Sequence, residues 1–252
     1  MPGGSIDYLC PHHYSVGDLR GTEENLKWLR QLIEHDGNGK PVRVAVNEWN
    51  STGGEFGLTG GLLLTLGNAL SLSRYQNMPH RYADLVEIAN RSNLADSFGS
   101  GAIQATPEGL YLTPAYYSQL LYQRAAGSYP LKLQRRNSLP FYLEDPDLDA
   151  TLTADGRTLR IYAVNSTPER RKVSFQLDSQ LGLASGGRVR VLTDGNDSPD
   201  PEAMNSRDQA DRVRESRQNI QLEGAGFGYE FSPFSLTLLE ISLQRTPHTV
   251  PQ

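Results

Sequence analysis

Apolar and polar positions alternate between two periods in the first hundred residues. Ser5–Cys10 is a short apolar run that reads as a strand and ends in the polar cluster Pro11-His12-His13-Tyr14. Thr22 has the chemistry of a helix N-cap, and Glu23 and Glu24 follow where the helix dipole favours anions. Leu26, Leu29, Leu32 and Ile33 then recur at helical spacing, and Gly37 and Gly39 close that helix. Val42–Val46 is the run of a buried strand and ends in Asn47-Glu48-Trp49-Asn50, groups unsuited to a strand interior. Ser51–Gly57 reads as a Gly-rich loop. Leu58–Tyr75 reads as a helix burying Leu62, Leu63, Leu66, Ala69 and Leu70. Asp84–Asn90 reads as a third strand, again ending in polar residues, Asn90 to Asn93. Strands about 40 residues apart with helices between them predict a parallel α/β unit.

The pattern changes near residue 105. Leu110–Leu112 reads as a short strand. Pro114–Ala126 reads as a helix, with Tyr117, Leu120, Leu121 and Arg124 on one stripe. Strands follow at Ser128–Arg135, Ala150–Ala154, Arg157–Asn165, Arg171–Leu177, Gly187–Thr193, Asn219–Leu222, Gly228–Phe231 and Ser235–Leu243. Turn residues separate them, as at Asp155-Gly156 and Asp194-Gly195-Asn196-Asp197, a density that predicts a β-sandwich. Ser198–Gln218 mixes both charge signs and reads as a solvated surface loop, and Arg245–Gln252 as a frayed tail. The expected division is residues 1–104 as an α/β portion and 105–252 as an all-β sandwich, preceded by the helix at 114–126.

The 252 residues are 37% apolar, enough for a globular core, with 24 glycines and 15 prolines consistent with many turns. A net charge of -5 argues against nucleic acid and anionic membrane as partners. No apolar run reaches the roughly 18 residues of a membrane span. The single cysteine, Cys10, excludes an intrachain disulfide and fits a reducing compartment. Met1–Ser5 lacks the basic and apolar regions of a signal peptide, so a cytoplasmic location is expected.

In α/β folds, reactive groups sit beyond the carboxyl ends of parallel strands, which makes Glu48 the first candidate for chemistry. Cys10, His12, His13, His35 and His80 lack the paired spacing of a zinc site, and no metal or other cofactor is expected. No G-x-S-x-G elbow or phosphate loop occurs.

The ordered strand ends His12-His13-Tyr14, Asn47-Glu48-Trp49-Asn50 and Ile88-Ala89-Asn90-Arg91-Ser92-Asn93, followed by a sandwich ending in PFSLTLLEI, resemble the C-terminal part of glycoside hydrolase family 51, the α-L-arabinofuranosidases. The family pattern has Asp-Glu-Trp-Asn at strand seven, His-x-Tyr at strand six and Ile-Ala-Asn-Leu-Ala-Gln-Leu-Val-Asn at strand eight. This chain departs from it at Asn47, where the pattern has Asp, at Asn93, where it has Gln, and at Asp96, where it has Asn. The resemblance implies a partial (β/α)8 TIM barrel of about three βα units followed by a C-terminal β-sandwich. It also implies a retaining hydrolase of arabinose-containing oligosaccharides or polysaccharides with Glu48 as nucleophile. Tyr14 then donates a hydrogen bond to Glu48, and His12 binds a furanose hydroxyl or orients a neighbour. Trp49 offers either a sugar platform or a core indole. Asn50 and Asn93 recognise sugar hydroxyls or satisfy backbone.

A whole barrel takes about 250 residues, and the α/β portion here is near one hundred. The family's acid/base glutamate lies in a Gly-Asn-Glu segment on strand four, which this sequence lacks. The expectation is a fragment with little activity alone, whose open sheet edges promote aggregation or homo-oligomers. The alternatives are a non-catalytic carbohydrate-binding or assembly module and another retaining glycosidase of the xylanase or endoglucanase type.

Overall fold

The computed structural model describes residues 6–37, 39–51, 60–97, 100–107, 109–124, 128–136 and 139–244. It begins with β1 (Tyr8–Leu9) and β2 (His12–His13), then α1 (Leu19–Asp36), β3 (Arg43–Trp49), a 3-10 segment (Gly60–Leu64), α2 (Leu66–Arg81) and β4 (Val86–Arg91). All the strands here are parallel. Val44 is the partner of Leu9 on one side and Val86 on the other, and Trp49 of His13 and Arg91, so β3 is the middle strand. β1 and β2 are two stretches along one edge of β3, interrupted at Cys10-Pro11, where proline supplies no N–H.

Helix α1 begins earlier than Thr22. Asp18 is the cap, its carboxylate accepting from the Gly21 N–H at 2.9 Å. Thr22 lies in the first turn and donates to the Asp18 carbonyl at 3.0 Å. A carboxylate facing the free N–H groups of the first turn is the better cap for the dipole. Helix α2 is capped by Thr65, which accepts from the Asn68 N–H at 3.1 Å, and runs past Tyr75 to Arg81, with Pro79 in its last turn. Leu62, expected inside, is 58% exposed because it lies in the 3-10 segment, off the stripe of α2. Most of the expected Gly-rich loop, and residues 58 and 59 of the expected helix, lie outside the described residues, as do Ser5 and 245–252.

Helix α2 is buried on two sides. Leu72, Tyr75 and Met78 pack with Val44, Val46 and Trp49 of the parallel sheet and with Leu26 and Leu29 of α1. Leu66 and Leu70 pack instead with Tyr122, Tyr162, Leu192 and Leu236. These belong to later elements. A hairpin of β5 (Ile103–Thr106) and β6 (Gly109–Leu112) leads to α3 (Pro114–Arg124). The expected end of α3 at Ala126 lies outside the described residues. Its buried positions are Pro114, Ala115, Ser118, Leu121 and Tyr122, one step round from the expected stripe, and Arg124 is exposed. The shift follows from Tyr122, which stacks on Tyr162 with ring centres 4.6 Å apart.

The remaining strands are β7 (Ser128–Leu131), β8 (Asp147–Thr153), β9 (Thr158–Asn165), β10 (Arg171–Gln176), β11 (Leu183–Asp194), β12 (Val213–Gly224), β13 (Gly226–Phe231) and β14 (Ser235–Gln244). Six form an antiparallel sheet in the order β12-β11-β14-β9-β8-β7, and β10 pairs with β13. Leu159, Ile161, Val189, Leu239 and Ile241 of the large sheet share a core with Val173, Phe175 and Phe231 of the small one, a sandwich arrangement. The expected loop 198–218 is loop only in part. Arg207, Asp208 and Asp211 are exposed, but Ala203, Asn205 and Val213 are buried, and 213–218 belong to β12. The charges of Arg214, Glu215 and Arg217 masked that strand, since over 213–218 the face of Arg214, Ser216 and Gln218 is exposed.

Two ion-pair clusters hold the parts together. Asp147 is fully buried and receives Arg81, Asn77 (3.0 Å) and Arg74 (3.7 Å) from α2, while His80 meets Asp149 at 2.7 Å. Asp147→Ala strands two mostly buried guanidinium groups and lowers stability by about 3 kcal/mol, read as a lower urea midpoint. Glu215 on β12 pairs with Arg190 at 2.8 Å, Arg217 at 2.5 Å and Arg124 of α3. Burial pulls its pKa up, but Arg217, Arg190 and Arg124 outweigh this and hold it below the ordinary 4.5. The stabilisation is therefore complete above pH 4.5 and is lost as pH falls through the depressed value. Stability measured against pH should fall less steeply below pH 4.5 in Glu215→Gln than in the parent.

Candidate active site

The candidate site follows from strand alternation at the polar ends of β2 and β3. His12 is the register partner of Glu48, and His13 of Trp49. Successive side chains point to opposite faces. One face therefore carries His12, Tyr14 and Glu48, and the other carries His13 and Trp49.

On the first face, the Tyr14 hydroxyl donates to Glu48 Oε2 and stands 3.1 Å from Ser92 Oγ, just beyond β4. His12 Nδ1 is 3.6 Å from the same Glu48 oxygen. The Glu48 side chain is 44% exposed and so accessible to a solute. The carboxylate that accepts the Tyr14 hydrogen bond pushes the phenol's pKa up, and the Ser92 contact offsets part of that rise. The result is a half-exposed carboxylate whose aim is set by a neutral phenol.

On the second face, His13 is buried, with Nδ1 2.7 Å from the Tyr75 hydroxyl and Nε2 3.0 Å from Asn25 Oδ1. The amide oxygen only accepts, so Nε2 carries the hydrogen and Nδ1 accepts from Tyr75. Burial lowers the His13 pKa and favours this neutral form. Trp49 is 2% exposed and stacks on Tyr75 with ring centres 4.7 Å apart. Its indole faces the core rather than Glu48.

The two asparagines hold the loop after β4. Asn50 is buried. Its amide donates to the Ser92 carbonyl at 3.1 Å and the Ser100 carbonyl at 3.4 Å, and its oxygen accepts from the Ser51 N–H at 2.8 Å. Asn93 has a positive φ of 66° and donates to Ser100 Oγ at 2.9 Å. Arg91 binds the Asn93 and Ser100 carbonyls at 3.0 and 2.8 Å, and burial lowers its pKa to about 10. The structure thus joins His12, Tyr14 and Glu48, and places Trp49 and Asn50 behind them. Ser92 escaped the sequence reading. Its signal was the strand-end position beside Asn93, meaningful only once β4 is aligned against β3.

Among the described residues, no three His, Cys, Asp or Glu side chains converge on a metal-sized site. A cavity of about 740 Å³ opens between β4 and α3, walled by Trp49, His80, Ile88, Asn90, Tyr116 and Tyr162. It lies apart from Glu48, which does not border it.

The structure is similar to solved glycoside hydrolases. The arabinose complex of the Thermotoga maritima α-L-arabinofuranosidase superposes with a TM-score of 0.74 at 23% identity, over 94% of this chain and 53% of that one. The family 51 enzyme of Thermotoga petrophila RKU-1 gives 0.75, with the same identity and coverage. A family 44 xyloglucanase from Paenibacillus polymyxa gives 0.56 at 15% identity, over 86% of this chain and 35% of that one. The chain therefore spans about half the length of these arabinofuranosidases. A search of curated proteins finds no match. The family model described as the alpha-L-arabinofuranosidase C-terminal domain matches residues 47–235, a span that includes Glu48 and most of the chain. On that match, the chain belongs to the α-L-arabinofuranosidase C-terminal domain family.

Proposed function

We propose that this chain carries the nucleophile side of a retaining α-L-arabinofuranosidase that releases terminal arabinofuranosyl residues from arabinose-containing oligosaccharides or polysaccharides. The observation that carries this reading is Glu48 at the polar end of the middle parallel strand, held by Tyr14 and flanked by His12. In the same reading, β1 with β2, β3 and β4 are the last three strands of a (β/α)8 barrel. Residues 1–104 are the barrel portion and 105–252 the sandwich domain.

In the first step Glu48 attacks the anomeric carbon, forms a glycosyl ester and expels the leaving oxygen, which takes a proton from an acid. In the second, water attacks the ester and releases the sugar with retained configuration. Tyr14 keeps the carboxylate aimed, and its neutral hydroxyl opposes rotation of the Glu48 side chain. His12, half-exposed beside the same oxygen, meets a sugar hydroxyl. Asn93 shapes the neighbouring rim. Trp49 and Asn50 act from behind, through packing and through backbone hydrogen bonds. The acid belongs about 5–5.5 Å from the nucleophile. No Gly-Asn-Glu segment supplies it within these 252 residues, so ordinary glycosides turn over slowly on this chain alone.

A leaving group that departs without protonation bypasses that need. 2,4-Dinitrophenyl α-L-arabinofuranoside should release dinitrophenolate and leave a pentosyl mass on the peptide containing Glu48. The ester accumulates because the glutamate of a Gly-Asn-Glu segment, which would activate the second water, is not in this sequence. Glu48→Gln abolishes the adduct. Labelling by the corresponding xyloside in place of the arabinofuranoside points to a different retaining glycosidase. Labelling by neither, or an adduct that survives Glu48→Gln, overturns the assignment of the nucleophile.

A further inference from the structure

We propose that Ser92 is a positioning residue for Glu48 and acts through Tyr14. The Ser92 hydroxyl is 3.1 Å from the Tyr14 phenol oxygen, and that phenol donates to Glu48 Oε2. A phenol has one hydrogen. With it committed to the carboxylate, the other contact has a single polarity: Ser92 donates and the phenol oxygen accepts. A directed chain of hydrogen bonds therefore runs from Ser92 to Tyr14 to Glu48.

Two consequences follow. Each bond in such a chain polarises the next, so the Ser92 donor strengthens the donation from Tyr14 to the carboxylate. The chain also ties together the ends of β2, β3 and β4, since Tyr14 follows β2, Glu48 lies on β3 and Ser92 follows β4. A phenol held at one point can still shift its oxygen by rotation about the Cα–Cβ bond, whereas one held by both neighbours has a fixed oxygen. Among the described residues, the other titratable side chain at the cluster is His12, next to Glu48 Oε2. Glu48 raises the Tyr14 pKa and Ser92 lowers it, as a carboxylate acceptor and a hydroxyl donor respectively should.

The proposal rests on the glycosidase reading only for why the aim of Glu48 matters. Its test needs no turnover. The whole chain is labelled with [¹³C-ζ]tyrosine and titrated by NMR, with the Tyr14 resonance identified by its loss in Tyr14→Phe. Ser92→Ala should move the Tyr14 midpoint above that of the parent, because the donor that stabilises the phenolate is gone. Ser92→Thr keeps a hydroxyl and should restore the parent value, and Glu48→Gln should lower it. Thermal melting reports whether each variant folds, and Ser92→Gly removes the same hydroxyl if Ser92→Ala does not. A Tyr14 midpoint that stays at or below the parent value in a folded variant lacking the hydroxyl overturns the relay. Failure of arabinofuranoside labelling would overturn the enzymatic reading and leave this titration unchanged.

Discussion

Asp147 is the fixed point on which the two halves of the molecule depend. It is a fully buried carboxylate at the start of β8, and α2 supplies Arg81, Arg74 and Asn77 to meet it. A buried anion without such partners is strongly unfavourable, so this arrangement admits one seating of α2 on the sandwich. Ser73 adds to the seating through its contact with Ser118 of α3 at 2.8 Å, as does Tyr122 of α3 through its hydrogen bond to Asn77. Helix α2 is apolar around much of its circumference because it is the layer between two cores. Polar groups then set its rotation, which apolar contact on two sides leaves open.

The position of α2 sets the candidate site from behind. Tyr75 points from the helix into the parallel sheet, stacks on Trp49 and engages His13. These contacts bury one face of the strand ends. Alternation then forces His12, Tyr14 and Glu48 onto the opposite face, where they meet. Adjacent histidines thus have separate tasks: burial lowers the pKa of His13 in the core, and His12 stands half-exposed at the carboxylate. The loop after β4 is braced in the same way, by Asn50 and Arg91 bonding to backbone carbonyls.

At the far side, Glu215 binds β12 to α3 and β11 through three arginines. It lies in the stretch whose charges had suggested a solvated loop. Mixed charge in sequence does not separate a solvated loop from a strand with one solvent-facing side, because both place charge in water. The difference is visible only in which partners the other face meets, here Val213 in the core and Glu215 among arginines.

Local pattern determined a good deal. The order of strands and helices, the helical stripe of α1, the change to antiparallel strands and the placing of Glu48 at a strand end all follow from periodicity and turn chemistry, which act over a few residues. So did the pairing of Tyr14 with Glu48, through the strand-end resemblance. The tertiary structure decided what depends on register and rotation. It moved the cap of α1 to Asp18, extended α2 to Arg81 and turned α3 so that Tyr122 meets Tyr162. It sent Trp49 and Asn50 behind the site and brought Ser92 to Tyr14 across seventy-eight positions of sequence. Such contacts depend on how separate strands align, and no run of neighbouring residues encodes that alignment by itself.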